Sequence, residues 1–100
     1  MSLDSAYKAF ISKAATYLDN NSVSIIEKAY AFSSHAHKNQ YRHSKKPYIV
    51  HPLAVAHILC DLEQELDTVI AGLLHDTIED TSVTAQDIRA SFGDTVTQLV

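Results

Sequence analysis

Residues 67–80 read DTVIAGLLHDTIED, and this stretch decides the fold. Val69, Ile70, Ala71, Leu73 and Leu74 put apolar side chains nearly all round a helix capped by Asp67. A helix with no polar face belongs at the centre of a bundle. Four ionisable residues, His75, Asp76, Glu79 and Asp80, follow at once. If the helix continues, His75 and Glu79 lie one turn apart, as do Asp76 and Asp80. Burying such groups is costly unless a cation or hydrogen bonds compensate. A divalent metal offsets that cost, because imidazole nitrogen and carboxylate oxygen are ordinary ligands. The same spacing also fits an exposed acidic helix end, and spacing alone does not choose between the two.

The flanking segments are helical too. Tyr7, Phe10, Ile11, Ala14 and Leu18 form one face of a first helix, capped by Asp4 or Ser5. Residues 19–22 (DNNS) break it. A second helix opens at Asn21, Ser22 or the Ser24–Glu27 capping-box pair and runs to about residue 39. Pro47 disfavours helix at Lys46, which makes residues 40–50 a loop. His51-Pro52 opens a third helix, since proline in a first turn forfeits only an N–H that has no partner there. It ends near Asp61 or Leu62. Thr84 to Asp87 starts a short helix through Ser91, Gly93 ends it, and Asp94 caps the next. No alternating strand pattern exceeds a few residues. The expectation is an all-α bundle of five or six helices.

With 100 residues, 46% hydrophobic and 20% charged, of which only 2 are Gly and 2 Pro, the composition is that of a globular chain. The single cysteine, Cys60, excludes an intrachain disulfide or thiolate cluster and reads as a core residue. There is no signal-peptide pattern and no run near the roughly 18 apolar residues of a membrane span. A cytoplasmic protein with no membrane partner is expected.

Charge is unevenly spread. Residues 1–46 carry seven cations against three carboxylates, and residues 47–100 carry Arg89 against nine. Half of all Lys and Arg (Lys38, Arg42, Lys45 and Lys46) fall in residues 38–48, interleaved with Tyr41 and Tyr48. A local basic patch on an acidic chain points to an anionic ligand rather than to direct nucleic-acid binding, although a solvated loop has the same composition. Arginine stacks on bases and grips phosphate, and lysine supplies point charge. No Gly-rich phosphate loop is present. His51 stands 24 residues before His75, and antiparallel packing of their helices would set them side by side. Helix capping is the alternative role for His51. His35, His37, His43 and His57 have weaker claims.

Four segments together resemble the hydrolase domain of the RelA/SpoT-type alarmone enzymes, within the HD superfamily. They are residues 37–42 (HKNQYR), 47–56 (PYIVHPLAVA), 71–81 (AGLLHDTIEDT) and Phe92-Gly93. The resemblance covers about residues 25 to 100. It implies a Mn²⁺-dependent hydrolase, other divalent ions fitting as well, that removes the 3′-pyrophosphate of guanosine tetra- or pentaphosphate in the stringent response. His51, His75 and Asp76 match metal ligands of that family, and Glu79 and Asp80 match its catalytic acidic pair. Arg42 matches the residue that stacks on guanine. His43 and Ser44 fall where substrate is contacted, and Lys45 and Lys46 supply charge that His43 lacks. The family usually has Gly where this chain has Lys45, which implies a different loop conformation. Its fourth ligand, an Asp, lies beyond residue 100, so residues 1–100 read as the N-terminal portion of a domain that continues. The last helix should then leave Val96, Leu99 and Val100 without a partner. Oligomeric state stays open. A phosphohydrolase for another nucleotide and a catalytically incomplete regulatory module are the alternatives.

Overall fold

The computed structural model describes residues 2–41 and 45–100. Among them are seven helices: α1 (Leu3–Ala15), α2 (Asn20–Ala36), α3 (Val50–Asp61), α4 (Leu66–Leu74), α5 (Thr77–Asp80), α6 (Ala85–Phe92) and α7 (Asp94–Leu99). The one β feature among the described residues is an isolated bridge between Tyr41 and Pro47, ahead of α3. The all-α expectation is met, with more and shorter helices than the apolar pattern indicates.

The α4 helix is central, as its composition requires. Every residue from Val69 to Leu74 is buried. The helices α2, α3 and α7 pack on it, and α1 lies across α2 and α3. Phe10, Ile26, Leu53, Ala56, Leu73, Leu74, Ile88 and Val96 join in one core. Gly72 lets α3 come close, for a Cβ there would lie 2.7 Å from Leu59 Cδ1. Cys60 is fully buried, as expected. Desolvation raises its thiol pKa.

The helix ends differ from the sequence expectation where several capping residues compete. The α1 cap is Ser2, whose Oγ accepts from Ser5 N–H at 3.1 Å, rather than Asp4 or Ser5. Asp19 caps α2 by accepting from Ser22 N–H at 2.7 Å, so the predicted break is also the next start. The α3 helix begins at Val50, and Pro52 still sits in its first turn. Glu65 precedes α4, placing Asp67 inside the first turn. Thr84 and Asp87 form the expected capping box. Gly93, at φ 91°, makes the turn that folds α7 back onto α4. That turn buries Val96 and brings Val100 against the core, so of the predicted bare face only Leu99 stays exposed. The α6 helix is tied to α2 at Phe92, which meets Phe32 edge-on at 5.5 Å and lies under Lys28 at 5.0 Å.

Candidate metal site

The central helix stops just where the ionisable run begins. Leu74 is its last residue, His75 and Asp76 form a turn, and Thr77 opens the short α5. The continuous helix from 67 through 78 is therefore not what forms. Carbonyls of the last α4 turn take side-chain donors: Thr77 Oγ1–H donates to Leu74 O at 2.8 Å, and His75 Nδ1 contacts Gly72 O at 2.7 Å. A carbonyl can only accept, so Nδ1 carries the ring proton. In neutral His75 this leaves Nε2 with a bare lone pair.

That lone pair faces Asp76. His75 Nε2 is 3.1 Å from Asp76 Oδ2, and His51 Nε2 is 3.5 Å from the same oxygen. His51 arrives from the first turn of α3 because α3 and α4 pack antiparallel, which sets the two imidazoles 5.3 Å apart, edge to face. One donor atom from each residue lies within 4.8 Å of the others. Two lone-pair atoms at about 3 Å need a proton or a cation between them. Ligand bonds of about 2.1 Å give ligand–ligand edges of about 3.0 Å in an octahedron and about 3.4 Å in a tetrahedron. The two distances to Asp76 Oδ2 match these edges and the third lies within 4.8 Å, a donor set that suits a divalent cation. The Nδ1–H bond to Gly72 O is the outer contact that orients a metal-binding histidine.

A fourth group joins them. The Tyr48 hydroxyl lies 3.0 Å from Asp76 Oδ2 and 2.9 Å from Asp80 Oδ2. Burial, then the hydrogen bonds to Asp80 and Asp76 and their charges, push this phenol well above its ordinary range, so it is a donor at neutral pH. The Tyr48 ring stacks on buried His37 at 4.5 Å. Gln40 accepts from His37 Nδ1–H at 3.1 Å and donates its Nε2–H to Asp80 O at 2.8 Å. The basic-aromatic loop is thus clamped to the acidic helix end.

Of the residues singled out in the sequence, the fold brings His51, His75 and Asp76 together and holds Asp80 one hydroxyl away. Glu79 is exposed on α5, outside the converging donors. Lys45 and Lys46 are exposed at the entry to α3. Lys45 has φ 66°, the left-handed conformation that glycine favours. Arg42, His43 and Ser44 lie outside the described residues. Lys46 also lines a groove of about 590 Å³ between α1 and α3, with Leu3, Ala6, Leu53 and Ile58. Sequence reasoning missed Tyr48, Gln40 and His37 as parts of the site. The available signal was the tyrosine three residues before His51 within a basic loop. No helix among the described residues is long and apolar enough to cross a membrane.

A family model described as HD domain matches residues 29–100. A guanosine-3′,5′-bis(diphosphate) 3′-pyrophosphohydrolase of Vibrio cholerae is 44% identical over 87 residues, covering 87% of this chain and 12% of that protein. The bifunctional (p)ppGpp synthase/hydrolase SpoT of Escherichia coli is 45% identical over 85 residues, covering 85% of the chain and 12% of that protein. A GTP pyrophosphokinase of Streptomyces coelicolor is 47% identical over 83 residues, covering 83% of the chain and 10% of that protein. The chain thus spans about an eighth of the length of these relatives. With its family model running from α2 to the last residue over the His51–His75–Asp76 cluster, the chain belongs to the HD domain family.

Proposed function

We propose that this domain is the metal-binding part of a hydrolase that removes the 3′-pyrophosphate from guanosine tetra- or pentaphosphate, leaving GDP or GTP. The observation that carries the reading is the convergence of His51, His75 and Asp76 donor atoms, in a chain similar to proteins named for that reaction. His51, His75 and Asp76 hold the cation, Mn²⁺ or another divalent ion, and a ligand from beyond residue 100 completes the set. A bound cation makes water more acidic and polarises a phosphoryl oxygen. Asp80 and Glu79 accept and steer the proton of the attacking water. Arg42 stacks on the guanine, while His43, Ser44, Lys45 and Lys46 hold the phosphates and fix their orientation.

The test is pyrophosphate release from ppGpp, with Mn²⁺, by purified protein that contains the full family domain, beside its His75→Ala and Asp76→Ala variants. Wild-type release that both variants abolish supports the reading. No release by wild type, or unchanged release in the variants, overturns it. Faster cleavage of a deoxynucleoside triphosphate or a cyclic nucleotide than of ppGpp would assign the site to a different nucleotide.

A further inference from the structure

Tyr48 offers one proton to two carboxylates. Its hydroxyl is within hydrogen-bond distance of Asp76 Oδ2 and of Asp80 Oδ2, and it can donate to only one at a time. Everything else about the residue is fixed. Its N–H donates to Gln40 O at 3.0 Å, and its ring lies on His37 with 23° between the planes. Gln40 in turn donates to the backbone carbonyl of Asp80. The phenol and the Asp80 backbone are therefore held from the same point at the end of α2, and only the proton is free to choose.

A cation held by Asp76 would draw electron density from Oδ2, make that oxygen the poorer acceptor, and leave Asp80 as the better partner for the hydroxyl. We propose that Tyr48 is a positioning residue. Its hydroxyl holds Asp80 by Oδ2, keeps that carboxylate out of the cation's ligand set, and leaves Asp80 Oδ1 to receive the proton of the attacking water. The role rests on the hydrolase reading above. It explains why the ring that stacks on His37 is a phenol: phenylalanine would fill the same space but leave Asp80 unheld.

Tyr48→Phe keeps the stack and the backbone tie and removes only the hydroxyl. In the purified protein, kcat should fall on the order of 10-fold or more, with KM for ppGpp and Mn²⁺ affinity each within about 3-fold of wild type. Unchanged kcat, or a loss of kcat matched by an equal loss of Mn²⁺ affinity, would overturn the proposal. A second readout needs no substrate. The chain has 5 Tyr and no Trp, so the absorption difference between proteins with and without the Tyr48 hydroxyl isolates its band. With Mn²⁺ bound, Asp80→Asn should move that band to the blue, as a carboxylate acceptor becomes an amide. A band that stays in place defeats the proposal. A protein that binds Mn²⁺ and shows the shift but leaves ppGpp intact fails the hydrolase reading while keeping the Tyr48–Asp80 contact. A protein that binds no Mn²⁺ fails both.

Discussion

His75 has two jobs on its two ring nitrogens. Nδ1–H closes the end of α4 on Gly72 O, and Nε2 faces Asp76. Replacing the neighbours one at a time should separate the jobs. His75→Ala should lose metal binding and about 1 kcal/mol of stability, the worth of a typical internal hydrogen bond. Asp76→Asn should lose metal binding with a smaller loss of stability, since the bond from His75 Nδ1–H to Gly72 O stays in place. Urea unfolding and metal analysis of the purified variants check both. Tyr17 supplies a pH prediction away from the site. Its hydroxyl donates to Gln64 O at 2.7 Å, and burial, then Cys60, raise its pKa well above the ordinary 10.0. The folded chain therefore keeps a proton that the unfolded chain loses. The contribution is whole below the unfolded value and shrinks as pH rises through the folded one. In Tyr17→Phe, unfolding measured between pH 9 and 11 should show a shallower alkaline loss.

At the scale of elements, the helix ends are where sequence and structure part. Four residues in a row, Asp19 to Ser22, are all competent caps, and the one that caps α2 is Asp19, which accepts from Ser22 N–H. The capping box at Thr84–Asp87 was legible because two residues had to agree at a fixed spacing. Thr84→Ala should cost about 1 kcal/mol, read as a lower midpoint in urea. The end of α3 falls at Asp61, where the sequence placed it, but the turn that makes this end was not legible. Glu63 sits there at φ 52°, with Glu63 N–H on Cys60 O and Gln64 N–H on Leu59 O, the bonding of a Schellman turn. Glycine is the usual residue at that point, so nothing in the sequence marked it. Glu63→Gly should stabilise the chain by about 0.5–1 kcal/mol, relief of the left-handed backbone outweighing the extra freedom of the unfolded glycine. A raised thermal midpoint checks this.

At the scale of the whole molecule, the apolar circumference of residues 69–74 predicted the centre correctly. A helix with no polar face leaves the chain no other place to put it. The same logic placed His51 beside His75, because neighbouring helices with a short connection pack antiparallel. The contacts of Tyr48 were only hinted at, by its place three residues before His51. Its role depends on a loop folding back on α5, and no periodicity records that contact. Centrality also sets vulnerability. Leu73 is fully buried in α4, and Leu73→Ala should cost about 2–5 kcal/mol. Domains are typically stable by only about 5–15 kcal/mol, so calorimetry should show a large drop in midpoint.

The break after Leu74 has an evolutionary consequence. Because His75 both ends a buried helix and faces Asp76, a lineage losing the proposed metal site is not free to change these two residues alike. Asp76 can be exchanged with less harm to the scaffold. A change at position 75 also gives up the bond to Gly72 O, a cost of about 1 kcal/mol at the end of the core helix. Descendants that have abandoned catalysis should therefore betray themselves first by the residue that follows the histidine.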